Sequence, residues 1–510
     1  MGLALTIASG VWAGDETGVA EIGPGQGAPG QFTYAAVVRR ASDLASGPYT
    51  PDRPDLPDYL ANLDAEHYRD IGFDRAESIW RRSGLPFQVQ LFPRGFLFKD
   101  RVTVNLIEDG KSRPLDFRRE FFDYGKNKVP AKMPADLGFA GLRLLYPINR
   151  DEVFDEVAVF LGASYFRAVG QNLTYGITSR ALAIDTGLPS QEEFPVFREF
   201  WVVRPDPDAT AITVFALMDS ESVVGAYRFL IHPGPETVVD VKAHLAFRRG
   251  VQKLGIAPLT SMFLHGETSD RFFDDFRPEV HDSDGLLVET GYGERIWRPL
   301  VNPEGLRVST YAVENPRSFG LLQRDRDFDD YQDLEGQYEN RPSALVEPIG
   351  KWGKGVIELV EIPSAAERYD NIVAYWIPEQ RTSAGQEMDL EYRLHFARDP
   401  EAGLLGGRVT ATRIGAGGPD LLDSKLRRLV VDFNGETLAR LDPGTNLDAV
   451  VTTSSGKLSP VTVRPKPEGR GWRLAFDLDP DGDEPADLRA FLRHGTDVLS
   501  ETWSFRWVKE

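Results

Sequence analysis

From Phe87 onward, short runs of β-branched and aromatic residues alternate with polar residues. Gly, Pro, Asn and Asp separate the runs, and these residues commonly form the turns between strands. No regular succession of strand and helix follows, which argues against a parallel, doubly wound sheet. The pattern predicts an all-β protein with many antiparallel strands, including 87–92, 102–107, 142–146, 197–203, 212–217, 227–231, 237–241, 286–289, 308–313, 356–362, 372–377 and 390–396.

Helical spacing of apolar residues is confined to a few segments. It predicts helices over 32–46, 64–82, 151–161 and 329–338. The segment 51–57 repeats proline at every third position, which predicts a rigid, extended linker between the first two helices.

A change in amino-acid composition near residue 400 predicts a domain boundary. Apolar runs thin out over 399–423, where glycines and prolines accumulate, and short strand-like runs resume afterwards at the spacing of a small sandwich. A chain of 510 residues is also too long for a single core. We therefore expect an N-terminal β-sandwich over 32–399 and a smaller C-terminal one over 405–510.

The first residues of the chain are mostly apolar or small, up to Ala13, and polar residues follow. We interpret 1–13 as the remnant of a secretory signal, although the expected basic residues are missing. A frayed tail is the alternative. The Gly-rich segment 14–31 predicts a flexible leader, and no window of the chain approaches the length of a membrane span.

Composition narrows the range of partners. The net charge of −20 predicts repulsion from nucleic acid and from anionic membrane surfaces, whereas a neutral ligand remains compatible. The chain has no cysteine, and its seven histidines show no pair at metal-ligand spacing. We therefore expect no disulfide, no zinc site, no other metal and no cofactor.

Carboxylates, arginines and aromatic residues concentrate between residues 277 and 376. Glycoside cleavage needs one carboxylic acid to protonate the leaving oxygen and a second group to activate water or attack. Any single acidic residue is equally explained as a solvated or turn-capping group. The candidates are Glu279, Asp282, Asp284, Glu294, Asp333, Glu347, Glu361 and Asp370.

Asp282 and Asp370 stand above the others. Asp282 lies in the turn sequence His-Asp-Ser-Asp-Gly at 281–285, although an Asx turn that closes a hairpin explains it as well. Asp370 directly precedes a strongly apolar strand, where partial desolvation raises a carboxyl pKa and suits a general acid. A strand-initiating turn is the alternative there. A calcium site at Asp282 and Asp284 is a further alternative.

Aromatic residues of the same stretch can pack against the C–H faces of sugars. Adjacent strand residues point to opposite faces, so Tyr375 and Trp376 cannot both line one groove. Core packing is the alternative for each aromatic, and pairing with nearby carboxylates is the alternative for each arginine. The candidate ligand-binding residues are Trp297, Tyr331, Tyr338, Trp352, Tyr375, Trp376, Arg295, Arg298, Arg324, Arg326 and Arg341.

Longer strings give a family resemblance. The central ones are His-Asp-Ser-Asp-Gly at 281–285, Trp-Arg-Pro-Leu at 297–300, Arg-Pro-Ser at 341–343 and Asp-Asn-Ile-Val-Ala-Tyr-Trp at 370–376. With them, the chain resembles the periplasmic glucan biosynthesis proteins G and D (OpgG/OpgD, also called MdoG/MdoD) over about residues 32–510. Further matching strings lie at 138–141, 145–149, 160–167, 192–195, 225–229, 257–263, 430–433 and 500–504.

The resemblance implies a large galactose-mutarotase-like β-sandwich followed by a small immunoglobulin-like β-sandwich. It also implies export to the periplasm and a role in making osmoregulated glucans with a β-1,2-linked backbone. Members similar to the D type are inverting β-1,2-glucan hydrolases, and some relatives are transglycosylases. G-type members carry Asn where this chain has Asp284, so the resemblance leans to the D type.

The resemblance also implies roles for individual residues of this sequence at the positions that match the family's motifs. The resemblance implies that Asp370 is the general acid and that Asp282 acts on the water-activating side through a relay. It places Tyr338 against the glucan, and we add Asp284, Arg341, Trp297 and Trp376 as expected substrate contacts.

Three functions compete at this point. The first is an endo-acting β-1,2-glucanase, and the second is a non-catalytic glucan-handling protein that works with the membrane glucan synthase. The third is a transglycosylase, which differs only in whether water or a sugar hydroxyl reaches the anomeric carbon. A homodimer is compatible with all three, and the sequence does not decide the oligomeric state.

Overall fold

The computed structural model describes residues 31–269, 273–401, 406–418, 425–467 and 471–509. The predicted signal remnant (1–13) and nearly all of the predicted leader (14–31) lie outside these residues. The described chain is overwhelmingly β, in several packed sheets, so the predicted all-β sandwich class is confirmed. None of the described helices is long and apolar enough to cross a membrane.

Within the described residues, twenty-five strands precede residue 400. They are β1 (Gly72–Phe73), β2 (Gln88–Phe92), β3 (Thr103–Glu108), β4 (Lys111–Pro114), β5 (Phe122–Asp123), β6 (Gly141–Arg150), β7 (Val153–Leu161), β8 (Tyr165–Ala168), β9 (Thr178–Arg180), β10 (Leu182–Ile184), β11 (Val196–Val203), β12 (Ile212–Asp219), β13 (Val223–His232), β14 (Thr237–Phe247), β15 (Leu254–Ser261), β16 (Phe263–His265), β17 (Val280–His281), β18 (Gly285–Glu289), β19 (Arg295–Pro299), β20 (Arg307–Glu314), β21 (Ser318–Leu322), β22 (Ser343–Ile349), β23 (Lys354–Glu361), β24 (Ile372–Pro378) and β25 (Glu387–Ala397).

The remaining strands and the few α-helices complete the element list. The strands are β26 (Arg408–Ala416), β27 (Arg427–Asn434), β28 (Asp448–Thr453), β29 (Lys457–Leu458), β30 (Thr462–Pro465), β31 (Trp472–Asp479), β32 (Ala486–His494), β33 (Asp497–Val498) and β34 (Thr502–Trp507). The α-helices are α1 (Tyr34–Ala45), α2 (Asp58–Ala61), α3 (Ala65–Arg69), α4 (Phe328–Tyr331) and α5 (Glu436–Ala439).

Two large sheets form the main sandwich. One runs β2-β6-β7-β8-β9-β15-β24-β23-β20, and the other contains β18-β21-β22-β25-β14-β13-β12-β11-β3-β4. Along β14, buried and half-buried side chains alternate over the first six residues, as a strand with one face on a core requires. The main core contains residues of both sheets, such as Leu142 and Leu259 from the first and Val214 and Leu394 from the second.

The second sheet continues into the C-terminal strands. β19 pairs in parallel with β34, through Ile296 with Thr502 and Trp297 with Trp503, and β34 leads on to β32 and β28. A second core joins these strands to the sheet β26-β27-β31-β29. Residues 402–405, at the predicted boundary, lie outside the described residues, and the division into two domains stays a prediction.

Helix α1 confirms the helix predicted over 32–46 and covers the outer face of the second sheet. Its buried residues Val37 and Ala41 pack in a cluster with Trp201 and Phe215. Both aromatic side chains point away from the main core, because each follows a core residue along its strand.

Three helix predictions are wrong or too long. In the segment 151–161, residues 153–161 form strand β7, paired antiparallel with β6, because the β-branched residues of this run fit a pleated surface and a partner strand is available. The helix predicted over 64–82 is only α3, after which β1 pairs with β5 and Trp80 takes a positive φ. The helix predicted over 329–338 is α4 alone, which ends at Gln332 in the left-handed conformation.

Candidate functional site

Asp370 is held at the mouth of β24 by its neighbour Asn371. The buried Asn371 side chain accepts a hydrogen bond from the backbone N–H of Phe263 (2.8 Å) and donates to the carbonyls of Phe263 and Ile362 (3.0 Å each). Its own N–H donates to Ser261 O (3.1 Å). Five described backbone and side-chain bonds, counting the one from Ile362 N–H to Asn371 O, therefore fix the backbone next to Asp370.

Asp282 lies in the turn between β17 and β18, close enough to Asp370 for its charge to act on that residue. Its N–H donates to Met262 O (2.8 Å), and the neighbouring Ser283 hydroxyl is 2.7 Å from that of Ser261. The side chain of Asp282 is only 7% exposed, and it forms an ion pair with Arg341. Asp282 is thus a buried, paired carboxylate that does not face bulk solvent.

Arg341 joins Asp282 to Tyr338. Its guanidinium lies over the Tyr338 ring, 3.9 Å from the centroid, while it pairs with Asp282. The Tyr338 hydroxyl donates to Glu367 (3.0 Å), and Glu367 pairs with Arg277 (2.7 Å). The structure therefore brings three of the predicted residues, Asp282, Tyr338 and Arg341, into one connected group.

Three side chains near Asp370 were missed by the sequence reasoning. Tyr165 and Arg167 lie on β8 and Arg180 on β9, and their charges act on Asp370 or respond to it. The sheet order β8-β9-β15-β24 explains the approach, because each strand is hydrogen-bonded to the next. The only sequence signal was the matched string at 160–167, which does not mark which of its residues face the site.

Asp370 has the electrostatics of a proton donor. The residue is exposed at the surface, yet its pKa is raised to about 6, chiefly because the surrounding protein removes solvation. The negative charge of Asp282 contributes to this rise, and Arg167, Arg180 and Arg341 partly offset both effects. Burial also raises the pKa of Asp282, against the lowering effect of Arg341. The pair can thus hold a proton on Asp370 under mildly acidic conditions while Asp370 remains accessible to a ligand.

Asp284 and Trp297 are placed differently from the group around Asp370. The Asp284 carboxylate accepts hydrogen bonds from the backbone N–H of Arg324 (2.9 and 2.7 Å) and of Asp325 (3.1 Å). The Arg324 guanidinium lies 3.6 Å from the Trp297 ring centroid. Both Asp284 and Trp297 line a cleft shared with Val409, on the side of the C-terminal strands.

Trp376 is part of the core. It is 2% exposed and packs against Trp352, with ring centroids 5.0 Å apart. Its neighbour Tyr375 points to the opposite face, where its hydroxyl donates to Glu358 (2.7 Å). The alternation expected for this strand is therefore present, and the structure does not bring Trp376 to Asp370.

Four other candidate carboxylates are engaged in ion pairs. Asp333 pairs with Arg277 (2.8 Å), Glu294 with Arg489 (2.5 Å), Glu347 with His395 (3.1 Å) and Glu361 with Arg298 (3.1 Å). These ion pairs give each of the four carboxylates a role within the fold that does not involve a ligand.

Asp282 and Asp284 are poorly suited to hold calcium together. Asp282 is paired with Arg341, and Asp284 already accepts three backbone hydrogen bonds. A different group, Glu279, His281 and Asp325, has ligand atoms within 4.8 Å of one another. Sequence spacing did not single it out, because Asp325 is distant in sequence from the other two.

Fold and site together define a class: β-sandwich proteins with a solvent-open carboxyl group backed by a buried, arginine-paired carboxylate. The family model described as "Periplasmic glucan biosynthesis protein, MdoG" matches residues 32–507. The chain belongs to this family.

Curated relatives agree with the family match over nearly the whole chain. Three proteins named "Glucans biosynthesis protein G" come from Shewanella frigidimarina (46% identical, covering 94% of this chain and 85% of the relative), Rhodopseudomonas palustris (45%, 94% and 94%) and Ralstonia nicotianae (46%, 93% and 95%). These three carry the G name, and the lean to the D type finds no support among them.

Proposed function

We propose that this protein acts in the periplasm as an inverting endo-β-1,2-glucanase of osmoregulated glucan biosynthesis. The observation that carries the proposal is Asp370: an exposed carboxyl group whose pKa is raised to about 6, with the buried Asp282 near enough for its charge to contribute to that rise. A general acid has to be both protonated and accessible; Asp370 is accessible, and its raised pKa lets it keep a proton under mildly acidic conditions.

In the proposed reaction, Asp370 donates its proton to the glycosidic oxygen of the leaving glucose unit. A water molecule attacks the anomeric carbon from the opposite face, and the C–O bond to the leaving group breaks. The proton of that water passes to Asp282. Because Asp282 is buried and paired with Arg341, we infer that an intervening hydroxyl or water carries the proton to it.

Tyr338 and Arg341 are the proposed substrate contacts of this site. The Tyr338 hydroxyl is already oriented by Glu367, and its ring is held by Arg341. The pairing with Asp282 also fixes the position of Arg341. Such a supported arrangement limits the side-chain freedom that would be lost when a glucan chain binds.

A glucan-handling function without catalysis is the second candidate. The names of the relatives favour it, because they describe biosynthesis and do not mention hydrolysis. In this case the same site around Asp370 would bind the β-1,2-glucan, and the membrane glucan synthase is the proposed partner. Transglycosylation would use the same acid and differ in the acceptor.

Product analysis on linear β-1,2-glucan tests the proposal. The wild type is compared with Asp370→Asn, which keeps the shape but cannot act as an acid, and with Glu294→Gln as a control. Glu294 pairs with Arg489, apart from the group around Asp370. We expect shorter linear oligosaccharides from the wild type and the control, and none from Asp370→Asn.

Other outcomes separate the alternatives. Cyclic or differently linked products would replace hydrolysis by transglycosylation. A wild type that binds the glucan and leaves it intact would contradict the catalytic assignment and favour handling. The anomeric form of the first product, followed by NMR, decides whether the configuration is inverted.

A further inference from the structure

A cleft with an empty volume of about 350 Å³ separates the turn that carries Asp282 from the C-terminal strand β26. Val409 and Thr412 line it on one side. Glu279, His281 and Asp325 line it on the other. The proposed reaction uses none of these last three side chains.

His281 has a fixed orientation and a fixed proton. It is fully buried, and its Nδ1 is 2.9 Å from Oε1 of Gln323. The amide nitrogen of Gln323 donates to the carbonyls of His281 (2.9 Å) and Tyr338 (3.4 Å), so its oxygen faces the ring. Nδ1 therefore carries the hydrogen and donates it. This arrangement, a histidine held by an amide oxygen behind it, is common around metal-ligating histidines.

The opposite ring nitrogen faces the carboxylates. Nε2 of His281 is 2.7 Å from Oε2 of Glu279, so a proton lies between these two atoms, and a cation that binds to Nε2 would displace it. The ligand atoms of Glu279, His281 and Asp325 all lie within 4.8 Å of one another. Among the described residues, the Asp325 carboxylate has no hydrogen-bond or ion-pair partner, although its backbone is bonded to Asp284 and Tyr331.

The positive charges of the cleft are already paired. Arg324 contacts Glu501 (2.5 Å) and Glu401 (2.8 Å). Arg413 pairs with Glu267, which also lines the cleft. Among the described residues of the cleft, Glu279 and Asp325 therefore face each other with only His281 to balance them, and such crowding of negative charge is relieved by a bound cation.

We propose that Glu279, Nε2 of His281 and Asp325 bind a divalent first-row transition-metal ion such as Zn²⁺ or Mn²⁺. One imidazole and two carboxylates suit these ions, whereas Ca²⁺ and Mg²⁺ prefer sites made of oxygen alone. The ion would hold the segment from Glu279 to Asp282 against Asp325. This proposal is independent of the glucan chemistry proposed for Asp370.

Titration calorimetry on the full chain, first dialysed against EDTA, tests the site. We expect one Zn²⁺ or Mn²⁺ per chain, and binding of Ca²⁺ weaker by at least about tenfold. Asp325→Asn should weaken Zn²⁺ binding by at least about tenfold. The control is Asp329→Asn on α4, whose side chain accepts a bond from Gln332 at the surface and which should bind Zn²⁺ as the wild type does.

A measurement on the wild type alone covers the case in which Asp325→Asn fails to fold. Crystals soaked in Zn²⁺ should show one anomalous peak between Glu279, His281 and Asp325. No binding of Zn²⁺ or Mn²⁺ by the wild type, equal affinity of Asp325→Asn, or an anomalous peak only at other residues would overturn the proposal.

Discussion

Replacing Arg341 by leucine should destabilise the protein in a pH-dependent way. The change removes the cation that pairs with Asp282, whose side chain is 7% exposed. An uncompensated buried carboxylate costs about 3–5 kcal/mol, and we expect about 3 kcal/mol because the Arg341 side chain is itself 20% exposed. Loss of the stacking on Tyr338, at 3.9 Å, adds about 0.5–1 kcal/mol.

The sign of the pH dependence follows from the pKa of Asp282. Burial already raises this pKa in the wild type, and Arg341 lowers it. In Arg341→Leu the pKa of Asp282 rises further, so the folded state takes up a proton that the unfolded chain holds less tightly. The free-energy loss should therefore be largest near neutral pH and shrink as the pH falls below the new folded pKa of Asp282.

Urea unfolding followed by tryptophan fluorescence, near neutral pH and at about pH 5, measures both effects. Arg368→Leu is the matched control, because Arg368 also stacks on a tyrosine (Tyr369, 4.7 Å) but is exposed. It should change stability by less than about 0.5 kcal/mol. The double variant Arg341→Leu with Asp282→Asn should regain most of the loss. An equal loss at both pH values, or none at neutral pH, would refute the reasoning.

Three further predictions concern the site and the core. For hydrolysis of β-1,2-glucan, kcat/KM should fall as the pH rises past about 6, because Asp370 then loses its proton. In the residual activity of Asp282→Asn, kcat/KM should fall at a lower pH than in the wild type, since the negative charge of Asp282 raises the pKa of Asp370. An unchanged pH dependence would contradict the interaction between the two carboxyl groups. Tyr338→Phe removes the hydrogen bond to Glu367 (3.0 Å), and we expect a loss of about 0.5–1.5 kcal/mol in urea unfolding together with a higher KM. Trp376→Ala should lower the free energy of unfolding by about 3–5 kcal/mol because the ring is buried. The affinity for glucan, measured by calorimetry below the unfolding transition, should stay as in the wild type. Weaker binding would show that Trp376 belongs to the glucan site.

The sequence by itself determined the class of fold and singled out Asp370 and Asp282 as candidate site residues. Period-two alternation is a property of each strand alone, so strands such as β2, β14 and β25 could be predicted before any partner was known. Asp370 was also readable, because a carboxylate directly before an apolar strand has to lie at the mouth of that strand.

Where the sequence allowed two predictions for the same segment or residue, the tertiary structure decided between them. The run at 151–161 fits a helix or a strand by composition, and pairing with β6 made it a strand. Trp297 and Trp376 fitted either a sugar platform or the core, and each is packed in a hydrophobic core. Short apolar runs leave such choices open, because burial depends on which surface covers them.

Tertiary structure alone also assembled the sites. Arg167 and Arg180 come near Asp370 only through the sheet order β8-β9-β15-β24. Asp325 meets Glu279 and His281 across more than forty positions of sequence. The side chains of a site come from different strands and turns, whereas a sequence pattern shows only which residues are neighbours along the chain. The pairing of the strands therefore decides which charged side chains come close together.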